Sequence, residues 1–362
     1  MTRSGTYEIK EVEGIPRGTE IIIELKTDCL DFSKKSYVEG VIMKYSNFVG
    51  FPIHLNDAKV NTVQPLWTKS KDQITEEQHK EFYQYITGFP NEPIFHLHYS
   101  VDSPIMIRSL FYVPATNPEK MSRERLDAGV NLYSRKVLIK PKAQELLPEW
   151  LRFVRGVCDS EDIPLNLSRE ILQDSALISK IRNTLTNRVL KWLADEANRD
   201  PIKYNKFLDE FEPMLEEGVV SDRNNKDKIA PLLRFESSAT EEDGKTSLDD
   251  YLKRAKEGQK KIYYLSGSNR GTILASPYME QFAKDNVEVL FITKPFGDYV
   301  MKNLDSFKNF EIVPADTETL DSATDQKEKM KALEIKYKDF VGWLTKTLTP
   351  KVYSVTVRTF FS

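Results

Sequence analysis

Between residues 261 and 314 the chain alternates strand and helix patterns in a way that few folds allow. β-rich apolar runs at 261–266, 287–293 and 311–314 are separated by helical stretches at 277–285 and 297–309. Strands joined through helices lie parallel, because an antiparallel neighbour needs only a tight turn. A small βαβαβ unit is therefore expected over 248–316. If it stood alone, its strand ends would be the place for a small-molecule ligand. Gly267-Ser268-Asn269-Arg270-Gly271 follows the first strand. It lacks the Lys-Ser/Thr of a nucleotide-triphosphate loop and the full three-glycine dinucleotide fingerprint, so it reads as a turn.

The stretches on either side read as connectors. Residues 236–247 are rich in Ser, Thr, Glu and Gly, and 317–328 are acidic and polar. A helix at 329–348 and the start of a strand at 351–361 come after, too little for a domain. Residues 1–57 look like the end of a larger α/β unit. The continuous Ile21-Ile22-Ile23 run predicts a strand over 19–26 that is buried on both faces. A helix is expected at 33–49, from apolar residues three and four apart, and a short strand at 51–55. These pieces cannot bury three isoleucines, so the partner is expected upstream of Met1 or in another chain.

The segment 63–235 reads as a larger mixed unit. Thr75 as N-cap and Gln78 three residues on make a capping box that starts a helix. Residues 93–99 alternate strictly, with Phe95, Leu97 and Tyr99 on one face and His96 and His98 on the other. Two same-face histidines can begin a metal site, but with no cysteine nearby they read as a solvated or interfacial face, and no metal site is expected. Strands are expected at 104–114 and 131–141. The polar loop 115–129 between them is expected to be mobile or functional. A short helix is expected within 147–157, and helices at 168–198, 200–218 and 226–235. The first carries Ile178, Ile181, Leu185, Val189 and Leu193 on one core stripe.

Composition closes several alternatives. The 362 residues carry 52 basic and 55 acidic side chains, a net charge of −3, so no global field favours nucleic acid or an anionic membrane. Cys29 and Cys158 are the only cysteines, which excludes a disulfide framework and points to a reducing compartment. No apolar run is long enough to span a bilayer, and residues 1–7 have no targeting pattern.

The stretch Asp159-Ser160-Glu161-Asp162-Ile163-Pro164-Leu165-Asn166-Leu167-Ser168-Arg169-Glu170 holds the strongest candidate site. Ser168 is a good N-cap and Glu170 suits the positive end of the helix dipole. Arg169 faces the wrong end of that dipole, so an anion must compensate it. Gln173 shares its face one turn on, and Asn166 can reach the same spot. Two readings follow. Arg169 pairs with Asp159, Glu161 or Asp162, or it senses a phosphate with the two amides beside it.

Several blocks together resemble the heat shock protein 90 chaperone family. They are KYSNFVGFPIHLN (44–56), PLWTKSKDQITEEQHKEFY (65–83), LYSRKVLI (132–139), WLRFVRGVCDSEDIPLNLSREILQDSALI (150–178), LLRFESS (232–238) and EVLFITKPFGDY (288–299). They occur in family order and span about residues 5–350. The LYSRKVLI version and the lack of a charged linker near residue 57 are most similar to the mitochondrial, tumour-necrosis-factor-receptor-associated branch. The bacterial branch is next.

The resemblance implies an α/β (α+β) multi-domain chain. Residues 1–57 would be the end of the N-terminal ATP-binding sandwich. Residues 63–235 would be the large middle subdomain, an αβα layer with helices, and 248–316 the small one. Residues 329–362 would begin the C-terminal dimerisation domain. It implies an ATP-dependent chaperone of protein folding and the stress response that binds unfolded clients and co-chaperones and works as a homodimer. Arg169 would reach the γ-phosphate, supported by Asn166 and Gln173. Gly18 and Thr19 would belong to the last element of the ATP pocket, and ATP would come with Mg. Trp67 matches a client-contacting tryptophan, though it reads equally as core. The family's other pocket residues fall upstream, and the last few residues fit the family pattern poorly, so the chain is expected to be a fragment with no ATP turnover alone. The alternative is a non-catalytic client- or co-chaperone-binding module. A mitochondrial location is implied, with the cytoplasm as alternative. Neither nucleic-acid binding nor membrane insertion is expected.

Overall fold

The computed structural model describes residues 14, 18–61, 64–122, 124–163, 175–317, 333–348, 352 and 355–357. The chain divides into two compact units, residues 1–64 with 136–138, and residues 65–135 with 139–362.

In the first unit residues 19–26 form no strand, contrary to the pattern of the isoleucine run. Ile21, Ile22 and Ile23 are 78, 85 and 73% exposed. A strand exists only where a neighbour takes up its backbone groups, and no described residue pairs with this segment. The expected helix forms as α1 (Lys35–Tyr45), with its apolar stripe at most half-buried. β1 (His54–Leu55) and β2 (Ala58–Lys59) make a hairpin. Its turn residues Asn56 and Asp57 both have positive φ, as a two-residue turn of this hand requires. Asn61 ties the neighbouring loop, donating to the carbonyls of Val49 and Phe51 and accepting from Ile53 N–H.

The second unit begins with α2 (Glu76–Thr87). Its capping box forms as the sequence predicts, with Gln78 N–H on Thr75 Oγ1 at 3.3 Å and Thr75 N–H on Gln78 Oε1 at 3.1 Å. Gly88, at φ 72°, ends it. β3 (Pro93–Val101), β4 (Ile107–Pro114), the short α3 (Glu119–Ser122), β5 (Gly129–Ser134), β6 (Val137–Lys140) and β7 (Arg155–Asp159) follow. The sheet order is β3-β4-β7-β5-β6. β7 is thus inserted between earlier strands, antiparallel to β4 and parallel to β5, and all five of its residues are buried.

β7 corrects the expected helix at 147–157. Only a 3-10 turn forms there, at Glu149–Leu151. Gly156 explains the close fit of the strand. Its φ is +146°, and a Cβ on it would lie 2.1 Å from the Leu110 carbonyl oxygen.

The helical part follows with α4 (Ser175–Arg199), α5 (Pro201–Ser221) and α6 (Lys226–Ile229). Ile181, Leu185, Val189 and Leu193 of α4 are fully buried, as the stripe predicts. Asp200 caps α5 by accepting Lys203 N–H at 2.9 Å, and Pro201 takes the first helical position, where a missing N–H is harmless.

Next come β8 (Glu236–Ser237), α7 (Leu248–Arg254), β9 (Lys261–Ser266), α8 (Arg270–Leu274), α9 (Pro277–Lys284), β10 (Val289–Ile292), α10 (Gly297–Leu304), β11 (Ser306–Phe307) and β12 (Phe310–Pro314). The second sheet runs β11-β12-β9-β10-β8, with β12, β9 and β10 parallel as expected. β8 closes one edge antiparallel to β10, so the stretch read as a connector begins inside the sheet. Tyr263, Leu265, Val289 and Phe291 share one core cluster with Ile273, Met279 and Phe282 of α8 and α9. Ile262, Tyr264, Leu290 and Ile292 face the other way and join a cluster that continues through α10, α5 and α4 to Phe95 and Phe111 of the first sheet. Further on, α11 (Lys338–Leu348) has no buried residue.

Candidate functional site

The candidate motif leaves the sheet through its middle. β7 ends at Asp159, and Ser160 after it is fully buried. A strand held by neighbours on both sides is a rigid base for a functional loop. Asp159 is 6% exposed, and its Oδ2 accepts the indole N–H of Trp67 at 2.9 Å. Glu161 lies 3.7 Å from Arg135 Nε. Asp162 Oδ2 accepts the backbone N–H of Met106 at 2.6 Å. Each of the three acids considered as partners for Arg169 thus also contacts another part of the chain.

Asn166, Arg169 and Gln173 lie outside the described residues, as does the cap Ser168. The chain enters 164–174 from β7 and resumes in α4. Gly18 and Thr19 are exposed and belong to the other compact unit.

Trp67 is 1% exposed. Its ring packs on Tyr133 at 5.1 Å and Phe82 at 5.9 Å, and its carbonyl oxygen lies 3.3 Å from His98 Nε2. The geometry is that of a core tryptophan, and contact with a client would require this corner to open. The motif's acids and Trp67, read separately in the sequence, thus meet at Asp159. Nothing in their spacing announces that pairing.

The loop 115–129 is tied down rather than free. Pro213 sits inside α5 and has no N–H for the Asp209 carbonyl one turn back. Lys120 Nζ donates to that carbonyl at 2.7 Å and to Glu210 Oε1 at 3.0 Å. Asn117 adds two bonds to Glu210. Beside it Arg152, 8% exposed, forks onto Glu119 at 2.7 and 3.2 Å and reaches Glu217 at 2.7 Å. The proline within a helical pattern was the one available signal that a partner was needed there.

A histidine patch lines the other notable feature, a groove of about 760 Å³ along β3. His79 of α2 stacks on His96 at 4.0 Å and 12°. His79 Nδ1 lies 3.1 Å from the Tyr112 hydroxyl. Burial, with some help from His96, His98 and Lys71, pulls His79 down to about 4. Burial also lowers His96 and His98, opposed by Glu76 in the first case and by the Trp67 carbonyl in the second. The three rings are held towards the neutral form. Among the described residues no three His, Cys, Asp or Glu side chains converge to hold a metal ion, and no helix is long and apolar enough to cross a membrane.

Comparison with known proteins adds a family. The sequence model described as Hsp90 protein matches residues 56–361. The chain is 47% identical over 355 residues to the mitochondrial TNF receptor-associated protein 1 homolog of Dictyostelium discoideum, covering 96% of this chain and 50% of that protein. It is 43% identical over 355 residues to the chaperone protein HtpG of Desulfitobacterium hafniense, covering 97% and 58%. It is 43% identical over 367 residues to the mitochondrial heat shock protein 75 kDa of Rattus norvegicus, covering 98% and 52%. The chain therefore spans about half the length of the curated relatives it matches.

Proposed function

This chain belongs to the Hsp90 protein family, and from that premise we propose that it forms the middle segment of an ATP-driven chaperone, with Arg169 directed at the γ-phosphate. The observation that carries the proposal is the family match over residues 56–361, which takes in the whole motif that follows the buried strand β7. A guanidinium with amide side chains beside it is suited to bidentate recognition of a phosphate. The Arg169 guanidinium would stabilise charge developing on the transferred phosphoryl group. Asn166 and Gln173 would orient it, Gly18 and Thr19 would border the nucleotide, and magnesium would arrive with the phosphates. Clients would be partly folded polypeptides, the working unit a homodimer, and co-chaperones further partners. The names of two relatives support a mitochondrial location, and the bacterial one keeps the cytoplasm as the alternative.

The test is ATP hydrolysis by this chain alone and mixed with a nucleotide-binding domain of the same protein, with Arg169→Ala beside it. The expected result is no turnover alone and a rate on mixing that Arg169→Ala removes. Stimulation that survives Arg169→Ala would return Arg169 to an ion-pair role. Turnover by the chain alone would mean a nucleotide site elsewhere in it.

A further inference from the structure

β3 is an edge strand with an unused edge. Among the described residues it pairs with β4 alone. Residues 93–101 make no other backbone–backbone hydrogen bond among the described residues. In an antiparallel ladder every second residue turns its N–H and C=O away from the partner, so roughly four of these nine face outward. Natural sheets blunt such edges with prolines, bulges or inward charges. Here Pro93 and the register shift after it blunt only the first residues. From Phe95 onward the strand runs in unbroken register to Val101.

The groove described above lies along this edge. Side chains from α2 form one wall and side chains from α4 and the start of α5 form the other. The walls differ in charge. On the α4–α5 side, Arg188 lies over the Tyr99 ring at 5.6 Å and Lys203 over the Phe95 ring at 5.4 Å. Neither makes an ion pair among the described residues. Asp195 and the Glu196–Arg199 pair share that wall and leave it net positive. The α2 side carries Glu76, Glu77 and, just before the helix, Lys71, while its Lys80 is paired with Glu92, so this wall is net negative.

We propose that the outer edge of β3 accepts an extended polypeptide segment as a sixth strand, and that this segment turns acidic side chains toward Arg188 and Lys203. Strand addition takes its affinity from main-chain hydrogen bonds and its selectivity from the side chains that point into the flanking walls. Side chains of an added strand alternate between those walls, so the acids recur at every second position. The proposal rests on the polypeptide-binding half of the reading above and needs no ATP turnover.

The probe is a fluorescein-labelled eight-residue peptide alternating glutamate and threonine, followed by fluorescence anisotropy on the full chain. Two N-methylated versions are made, one on each alternate set of residues. Strand addition predicts that one methylated register loses at least tenfold in affinity while the other binds nearly as well as the parent. Lys203→Glu and Arg188→Glu should each weaken binding several-fold, and a peptide with lysine in place of glutamate should not bind. Equal binding by both methylated registers, unchanged binding to both charge-reversed variants, or no binding at millimolar peptide overturns the proposal. Peptide binding that persists while Arg169→Ala leaves mixed ATP hydrolysis intact would remove the phosphate reading and keep this one.

Discussion

Trp67 and Asp159 stand 92 residues apart in sequence and meet through an indole N–H to carboxylate bond of 2.9 Å. That bond fastens the segment before α2 to the end of the central strand β7. Trp67→Phe keeps an aromatic ring but removes the donor from a carboxylate that is 6% exposed. The expected loss is ~1–3 kcal/mol, read as a lower urea midpoint with an unchanged slope. A double-mutant cycle with Asp159→Asn should show a coupling above ~0.5 kcal/mol. If Trp67→Phe left stability untouched, the core role of Trp67 would be lost.

The histidine patch makes stability depend on pH. His79 is held to about 4 in the folded chain, against 6.5 for the unperturbed side chain. Between these values the unfolded chain binds more protons than the folded one, so stability rises with pH across that window. It is fully present above pH 6.5, falls as pH drops toward 4, and levels off below. The whole step is on the order of 3 kcal/mol. Chemical denaturation at pH 7 and pH 4.5 should show it. His79→Phe should flatten the slope, and an equal slope in that variant would place the dependence elsewhere.

Two glycines should respond differently to alanine. At Gly156 a Cβ would meet the Leu110 carbonyl oxygen at 2.1 Å and the residue holds φ +146°. Backbone cannot step aside there, so Gly156→Ala should lose more than ~3 kcal/mol or fail to fold. At Gly218 of α5 the Cβ would meet Trp150 Cδ2 at 2.7 Å and Ile229 Cδ1 at 2.9 Å. Those are side chains, and alanine gains ~1 kcal/mol of helix propensity. Gly218→Ala should therefore lose less than Gly156→Ala in the same denaturation assay. The reverse order would contradict the packing described for β7.

Lys120 serves the carbonyl that Pro213 leaves open in α5. Lys120→Met keeps the aliphatic stem and removes that donor. Global stability should fall by only ~1 kcal/mol. The local effect should be larger, because the loop 115–129 loses a main tether. Limited proteolysis should cut within it several-fold faster than in the parent chain. An unchanged rate would mean that the other ties, from Asn117, Glu119, Arg125 and Asp127, hold the loop without Lys120.

The three parallel strands of the second sheet were legible because they are apolar runs bounded by turn residues and the helices between them keep their period, as Val289 to Ile292 and Gly297 to Leu304 do. The two-residue edge strands β8 and β11 instead fell inside an expected connector and an expected helix. The capping box at Thr75 was legible because it is local chemistry. β7 was not, since Arg155-Gly156-Val157-Cys158-Asp159 has neither alternation nor a β-branched run beyond Val157. It is a strand because β4 and β5 close on it from both sides. The isoleucines at 21–23 show the converse, a strong strand pattern with no neighbour among the described residues to realise it. Of the candidate site, the sequence supplied Arg169 and its amides. It could not supply the engagement of Asp159, Glu161 and Asp162, which depends on Trp67, Arg135 and Met106 arriving from distant parts of the chain.

The late insertion of β7 has a consequence for biosynthesis. β3, β4 and β5 leave the ribosome before Arg155–Asp159, yet β4 and β5 are joined only through that strand. Until it emerges, each offers a bare flank with Phe111, Val113 and Leu132 unburied beside it. A nascent chain in that state carries two unpaired strand flanks at once, the kind of edge that pairs with other chains. Synthesis of the short stretch from Leu132 to Asp159 is therefore the interval in which this sheet is most open to misassembly.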